Sequence, residues 1–404
     1  MGKQVSRPDA MAAPTILLAW ELGGGQGHVQ NFRRLATRLR QVGECRIVAA
    51  IRDLRRAWHL ADAEIEVIQA PAWPGSLGDG ERPRRSSATF TDVLASAGLA
   101  DPDAVLGILQ SWGHLLHWID PDLVVTDYAP LAGLAARGRL PVLQTGIGYT
   151  LPPATLDRLP ELHRLSPPVW SDEEVLAVIN GALRQTGSPL LSRLSKLFAG
   201  DDVVVTTFPI LDPYANARAT PAQGPLLDGI AEPVRSDATG IFAYLWPDMA
   251  LRTDVRAGLS ALGPDLEIFV PGGDGETMAD LLQAGATVHW QAPPLSDVLP
   301  RRRLVLHQGG AGLAGEALAV GVPQYLLTSH IEQELNARAL AAAGVAHSTK
   351  MQDPAVRITA EALEEALHDP GLSACARDLG ERCRPLLQRD PLSELAKRCL
   401  SLAS

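Results

Sequence analysis

The sequence predicts two α/β domains whose parallel sheets face one another across a cleft. The chain has 404 residues, which is too many for one ordinary hydrophobic core. Short apolar runs alternate with longer amphipathic runs, as expected for the strands and helices of βαβ units. A glycine-rich turn follows an apolar run in each half of the chain, and open parallel sheets bind ligands at the carboxyl ends of their strands.

The first domain is predicted over residues 14–220, after a leader at 1–13 that is expected to be disordered. Its first helix is predicted at about 28–42. Its strands are predicted at 15–20, 46–51, 122–126 and 202–207. Irregular stretches at 71–90 and 150–170, rich in turn-forming residues, interrupt this series.

The second domain is predicted over residues 236–390, after a linker at 221–235 that has prolines and glycines but little apolar periodicity. Its helices include stretches at 311–320 and 334–343. Its strands are predicted at 240–245, 266–270, 287–290, 304–307 and 324–327. Two such halves facing one another place a cleft between the carboxyl ends of their strands.

Charge and cysteine content exclude several classes of function. The formal net charge of -10 argues against nucleic acid or an anionic membrane as partner, because both would be repelled. The four cysteines include no CxxC pair, so neither a disulfide framework nor a zinc site is expected. The sequence shows no signal peptide and no transmembrane segment, and a cytoplasmic location is expected.

The segment at 304–338 has the strongest functional signal. An apolar strand ends at His307 and is followed by Gly309, Gly310 and Gly312, where a helix begins. Glycines let the backbone approach a ligand closely, and the free N–H groups of a helix N-terminus favour phosphate. For the glycines alone, a tight strand–helix turn without a ligand is the simpler interpretation.

Further polar residues follow at defined spacings. Glu316 lies one turn into this helix, where its carboxylate could accept hydrogen bonds from ribose hydroxyls. Glu332 and Gln333 follow the next strand. A carboxylate beside an amide suits sugar hydroxyls, which both donate and accept hydrogen bonds.

The combined pattern is H-x-G-G-x-G, a glutamate nine residues after the histidine, G-V-P and then E-Q-x-x-N-A. It resembles the nucleotide-sugar signature of family 1 glycosyltransferases, and the resemblance implies the two-domain GT-B fold. It implies that His307 and the amides of the glycine loop hold the donor diphosphate. By the same resemblance Glu316 holds the ribose, while Glu332 and Gln333 contact the donor sugar.

Two departures from the family pattern concern the donor nucleotide. Leu313 stands where the family has a hydroxyl residue near the phosphates. The position of the family's base-stacking tryptophan, counted back from Leu299, falls on Ala292, and the nearest tryptophan is Trp290. Either Trp290 stacks on the base, or backbone groups around Gln291 and Ala292 bind it. Plain packing of Trp290 on its strand is an equal alternative.

The N-terminal glycine loop reads G-G-G-x-G rather than G-x-G-x-x-G, which argues against a dinucleotide-binding dehydrogenase. Within it, G-Q-G-H-V resembles the turn that carries the catalytic base of family 1 enzymes. This resemblance makes His28 the general base and brings Gly25 and Gly27 near the donor phosphate. A helix cap or an anion ligand is the alternative for His28.

The segment D-L-V-V-T-D-Y-A-P resembles the one whose aspartate orients the catalytic histidine. It assigns that role to Asp127, since a carboxylate bound to one ring nitrogen fixes the tautomer of the imidazole. Capping of the helix that follows Pro130 is the alternative for Asp127.

The resemblance implies transfer of a sugar with inversion, from a nucleotide-diphosphate sugar to a hydroxyl of a small-molecule or lipid acceptor. A UDP-sugar is favoured, and neither a cofactor nor a metal ion is implied. A lipid-linked acceptor would be bound at a membrane surface through Arg82, Arg84 and Arg85. The resemblance also implies that a C-terminal helix at 391–404 packs back on the first domain. Two alternatives stay open, a nucleotide-sugar 2-epimerase of the same fold and a non-catalytic nucleotide-sugar-binding protein.

Overall fold

The computed structural model describes residues 13–73, 87–229, 232–352 and 357–404. The predicted leader, except residue 13, and the three arginines considered for a membrane surface lie outside the described residues.

The N-terminal domain is built around one parallel sheet. Its strands are β1 (Thr15–Ala19), β2 (Arg46–Ile51), β3 (Glu66–Gln69), β4 (Leu123–Asp127), β5 (Val142–Gly146) and β6 (Asp202–Val205). Its helices are α1 (Gly27–Val42), α2 (Phe90–Leu94), α3 (Pro102–Ile119), α4 (Pro130–Ala136) and α5 (Asp172–Thr186). The strand order is β3-β2-β1-β4-β5-β6, so β1 and β4 are neighbours at the centre.

Burial of both sheet faces explains why the central strands are continuously apolar. Along β1, Ile16 and Leu18 face one core while Leu17 and Ala19 face the other, and all four are fully buried. Helices α3, α4 and α5 supply the partners in one core, and α1 supplies them in the other. Strands covered on both faces lose the alternation of apolar and polar residues.

The C-terminal domain repeats the same topology. Its strands are β7 (Ile241–Tyr244), β8 (Leu266–Phe269), β9 (Thr287–His289), β10 (Leu304–His307), β11 (Gln324–Thr328) and β12 (Ala346–Lys350). Its helices are α6 (Pro247–Ala250), α7 (Thr253–Ala261), α8 (Ala279–Gln283), α9 (Leu295–Val298), α10 (Ala311–Val320), α11 (Ile331–Ala342), α12 (Ala360–His368) and α13 (Pro370–Gln388). The sheet order is β12-β11-β10-β7-β8-β9, with all pairs parallel.

The last helix, α14 (Pro391–Ala403), packs on the N-terminal domain. Its residues Leu392, Leu395, Ala396 and Cys399 are buried in the same core as α1. The chain therefore crosses from the second domain back to the first after α13.

Two six-stranded parallel sheets confirm the predicted fold class. Three strands, β3, β5 and β12, were not predicted from the sequence. Within the described residues, no helix combines the length and apolar character needed to cross a bilayer.

Candidate active site

Each glycine loop lies where the first and fourth strands of its domain are neighbours, after the first strand in the N-terminal domain and after the fourth in the C-terminal domain. In the N-terminal domain, the loop after β1 adjoins the carboxyl end of β4. In the C-terminal domain, the loop after β10 adjoins the carboxyl end of β7. These are the points where strand order reverses, at which open α/β sheets bind ligands. Both loops line one cleft of about 2520 Å³, which exceeds the size of an ordinary small-molecule pocket.

His28 and Asp127 meet at the N-terminal side of this cleft. His28 is the second residue of α1, and its Nδ1 lies 3.0 Å from Oδ1 of Asp127, the last residue of β4. The imidazole is stacked on Trp20, with 5.0 Å between ring centroids, and little of it is exposed. If Asp127 accepts the proton on Nδ1, then Nε2 is the basic nitrogen, and it has no hydrogen-bond partner among the described residues.

The backbone around this pair is shaped by one glycine and one strained residue. Gly23 has φ +77°, and a Cβ there would lie 3.1 Å from His28 Nε2 and from the Tyr128 ring. Tyr128, directly after Asp127, has φ +51°, which is unfavourable for a side chain of this size. The Tyr128 carbonyl accepts from the Leu22 N–H at 3.0 Å, which ties the two turns together.

Glu21 fixes the turn that follows Asp127. Its buried carboxyl accepts from the N–H groups of Leu131 and Ala132, at 3.2 and 2.5 Å, in the first turn of α4. Burial raises the pKa of this carboxyl to about 8, against the effect of those two N–H groups. The sequence interpretation did not identify Glu21, whose only signal is a charge at the end of a buried strand.

The C-terminal glycine loop leads directly into α10. Gly310 is the N-cap residue of α10 and has no side chain to cap the helix. Gly310, Ala311 and Gly312 line the cleft. Gly309, also predicted to hold the diphosphate, donates its N–H to Nδ1 of His307, and its contact with a ligand stays a prediction. It has φ +87°, and a Cβ there would lie 2.9 Å from the Leu326 side chain, so Gly309 serves the tight turn itself.

His307 is engaged within its own domain. Its Nδ1 accepts from the Gly309 N–H at 3.1 Å, and its Nε2 lies 3.0 Å from Oε1 of Gln324. Burial lowers the pKa of His307 to about 4, so the ring is neutral. His307 also lines the cleft, and its contact with the diphosphate stays a prediction.

Glu316 lines the cleft but already has a partner in the other domain. Its Oε1 accepts from Nη2 of Arg34 on α1 at 3.2 Å. Arg34 also donates to the Leu226 carbonyl at 2.8 Å and to Asp228 at 3.1 Å. Burial raises the pKa of Glu316, and Arg34 opposes this effect.

Glu332 and Gln333 begin α11 and line the cleft opposite His28. The Glu332 carboxylate accepts from the Ala311 N–H, at the N-terminus of α10. Burial raises the pKa of Glu332, and the nearby His28 lowers it. Gln333 accepts from the Ser329 N–H at 2.8 Å, which orients its amide. Glu332, the first residue of the predicted sugar-binding pair, thus lies near both His28 and the N-terminus of α10.

Of the segment 290–292, predicted to bind the nucleotide base, one residue lines the cleft. Ala292 lines the cleft, and the neighbouring Gln291 is exposed; binding of the base by these residues stays a prediction. Trp290 is 54% exposed and also lies outside the cleft wall. An aromatic residue that sequence reasoning missed, Trp246, lies in the cleft just after β7. The sequence signal for Trp246 was its position directly after a predicted strand, where the strand reaches the cleft.

Gly25 and Gly27 line the cleft beside His28, as predicted for a loop near the donor. One part of the N-terminal wall is apolar and aromatic, although other parts carry polar side chains and arginines. It includes Val93, Ala95, Tyr128, Ile147, Tyr149, Leu165 and Trp170. This composition suits an apolar acceptor. No group of three or more His, Cys, Asp or Glu side chains in the described part of the chain is arranged to hold a metal ion.

The fold and the paired loops define a protein of the GT-B class. The solved structure of CalG4, the calicheamicin glycosyltransferase, matches with a TM-score of 0.69 at 21% identity, covering 97% of this chain and 98% of that one. The glycosyltransferase VinC in complex with dTDP matches with a TM-score of 0.66 at 15% identity, covering 96% and 99%.

The sequence comparisons name the relatives more closely. Residues 260–402 match the family described as erythromycin biosynthesis protein CIII-like, C-terminal domain. The elloramycin glycosyltransferase ElmGT of Streptomyces olivaceus is 25% identical over 272 residues. That alignment spans 66% of this chain and 65% of the relative. The chain is thus similar in sequence to a natural-product glycosyltransferase, and similar in fold to solved GT-B glycosyltransferases.

Proposed function

We propose that this protein is an inverting glycosyltransferase that moves a sugar from a nucleotide-diphosphate donor to a hydroxyl of an apolar small molecule. The observation that carries the proposal is the shared cleft. A histidine–aspartate pair, His28 and Asp127, lies on one wall, and a glycine loop at the N-terminus of α10 lies on the other. Such a helix end binds phosphate, and such a histidine can take a proton from an alcohol.

In the proposed reaction, Nε2 of His28 takes the proton of the acceptor hydroxyl while its oxygen attacks the anomeric carbon. The bond between that carbon and the diphosphate oxygen breaks, and the diphosphate leaves with the electron pair. Asp127 stabilises the imidazolium that forms, because it lies 3.0 Å from Nδ1. One displacement from the opposite face inverts the anomeric configuration. The reaction as written needs no metal ion, which activity in excess EDTA would test.

The donor contacts follow from the same wall. In the proposal, the N–H groups of Gly310 and Gly312 bind the diphosphate, Glu316 binds the ribose, and Glu332 with Gln333 binds the sugar. All five residues line the cleft. Both UDP- and dTDP-sugars fall within the proposal. The motif resemblance favours UDP, whereas the solved complex of the similar protein VinC contains dTDP.

Donor binding is tested by thermal unfolding with UDP, dTDP and their sugars. We expect one diphosphate to raise the melting temperature of the wild type, and Glu316→Ala to weaken that response strongly. Glu365→Ala is the matched control, because Glu365 is exposed on α12. Absence of any shift at millimolar nucleotide would refute the proposal.

Turnover separates the remaining candidates. A glycosyltransferase consumes the donor together with an acceptor, so an acceptor screen with the stabilising nucleotide sugar should yield a glycoside. A 2-epimerase would convert the donor alone. A non-catalytic binder would bind the donor without turnover in the presence of any acceptor.

A further inference from the structure

The cations of the cleft come mostly from the N-terminal domain. Among the described lining residues, these are Arg33, Arg34, Arg52, Arg56 and Lys350. Only Lys350 belongs to the C-terminal domain, and it pairs with Glu334 at 2.6 Å. On the phosphate-loop side, His307 is uncharged and Leu313 has no hydroxyl. Yet a departing nucleoside diphosphate gathers negative charge that a dry cleft must stabilise.

Besides Lys350, three of these cations have hydrogen-bond partners at 3.1 Å or less. Arg33 and Arg34 share Asp228 at 3.1 Å, and Arg52 donates to the Gly23 carbonyl at 2.5 Å. Arg33 and Arg34 are thus paired with an acidic side chain, and Arg52 is held against the backbone of the N-terminal glycine loop.

Arg56 differs from the other four. Its side chain is only 20% exposed, and its carboxylate contact is Asp53 at 3.4 Å. Asp53 in turn accepts three hydrogen bonds from Arg55, at 2.9 to 3.1 Å. The buried Nε of Arg56 has no hydrogen-bond partner among the described residues. A guanidinium that is largely buried and weakly paired is costly unless an anion completes its surroundings.

The surroundings of Arg56 show where that anion would lie. Its guanidinium is stacked over the ring of Trp246, with 5.5 Å from Cζ to the ring centroid. The backbone N–H of Trp246 donates to Oε1 of Gln308, in the C-terminal glycine loop, at 2.8 Å. Tyr244, two residues before Trp246, pairs in register with His307. Arg56 therefore reaches from the N-terminal domain to the start of the phosphate loop.

We propose that Arg56 binds the diphosphate of the donor from the acceptor-side wall and supplies the positive charge that the glycine loop lacks. This inference rests on the proposed function, since it assumes a nucleoside diphosphate in the cleft. The indole of Trp246 holds the guanidinium plane in position, so that its N–H groups remain free to bind phosphate oxygens in pairs. Arg56 and the glycine loop before α10 belong to different domains, so both domains contribute to the proposed diphosphate site.

The test is calorimetric titration of the full chain with UDP, dTDP and the matching nucleosides. We compare the wild type with Arg56→Met, Arg56→Gln and Arg56→Lys. Arg55→Met is the matched control, because Arg55 is the neighbouring residue, is 89% exposed and shares Asp53. Circular dichroism and the melting temperature establish that each variant is folded, and Arg56→Gln replaces Arg56→Met if the latter is not.

We expect loss of the charge to weaken diphosphate binding roughly tenfold to a hundredfold and to leave nucleoside binding within about twofold, because a charged hydrogen bond is lost. Arg56→Lys should lose less, and Arg55→Met should bind like the wild type. The salt dependence of diphosphate binding should also decrease in Arg56→Met.

Equal diphosphate binding by wild type and Arg56→Met would overturn this inference and leave the proposed function intact. An equal loss of nucleoside and diphosphate binding would also overturn it, because the residue would then act on the shape of the site. Failure of the wild type to bind any diphosphate would refute the proposed function itself.

Discussion

Arg34 in the N-terminal domain and Glu316 in the C-terminal domain form an ion pair across the cleft, with 3.2 Å between Nη2 and Oε1. The carboxylate proposed for the donor ribose is thus held by the domain proposed for the acceptor. Both side chains are 18% exposed, so water screens the pair only in part. The position of the Glu316 carboxylate therefore depends on how the two domains are oriented.

Removal of Arg34 should destabilise the protein. Arg34→Met deletes hydrogen bonds to Leu226, Asp228 and Glu316 and leaves the Glu316 carboxylate without its cation. We expect a loss of about 2 kcal/mol in the free energy of unfolding, measured by urea titration. Arg33→Met is the control, since Arg33 is more exposed and shares only Asp228 among these partners. Equal losses in the two variants would contradict the role given to Arg34.

The His28–Asp127 pair should matter for turnover and not for donor binding. His28→Ala and Asp127→Asn should each lower kcat by roughly 10²- to 10⁴-fold, because general base catalysis is worth about that much. Diphosphate affinity, measured by calorimetry, should stay within about threefold of the wild type. Full activity in either variant would exclude the pair as the catalytic base and its orienting partner.

Gly23 should be required for the position of the histidine ring. In Gly23→Ala the new methyl group would lie 3.1 Å from His28 Nε2, at a backbone φ of +77°. The left-handed conformation costs a side chain about 1 kcal/mol, and the contact displaces the imidazole. We expect kcat to fall at least tenfold while the fold is kept.

Gly24→Ala provides the comparison for that experiment. A Cβ at Gly24 meets nothing within 4 Å, and its φ is not in the left-handed region. Activity should therefore remain near that of the wild type. If both alanine variants lose activity equally, the loop as a whole is sensitive and the specific contact with His28 is not the cause.

Glu21 should make stability depend on pH. Its pKa is raised to about 8 in the folded protein from 4.5, so the folded state binds more protons between these values. The contribution of Glu21 is then fully present below about pH 4.5 and is lost as the pH rises towards 8, by about 1.4 kcal/mol per unit. The measurement is the difference in unfolding free energy between wild type and Glu21→Gln from pH 5 to 8. A difference that does not change with pH would show that the two backbone N–H groups keep the carboxylate charged.

Much of the fold was predictable because burial imposes a pattern on sequence. Strands β1, β4 and β10 are covered on both faces, and each contains an uninterrupted run of three or four apolar residues. The missed strands β3 and β12 are at sheet edges and have exposed residues, so they have no such pattern. Strand β5 is buried but includes Gln144 and Thr145, whose polarity masks it.

Residues of the candidate site were predictable only where a short local motif contains them. His28, Asp127 and Glu316 stand in short patterns that follow strands, and the structure brings them to one cleft. The contacts of Arg34 and Arg56 depend on how two domains are oriented, which local patterns do not encode. The contact of His307 with Gln324 was also not predictable from the motif, because Gln324 lies on the neighbouring strand β11.

The position of α14 has a consequence for how this chain folds during synthesis. The core between α1 and the first sheet includes Leu392, Leu395, Ala396 and Cys399, which are translated long after the rest of that domain. A nascent N-terminal domain would expose the apolar stripe of α1 while the second domain is being made, and would need protection against premature association. Completion of the first domain is therefore the last step of folding, and a fragment of residues 14–220 should be prone to aggregation.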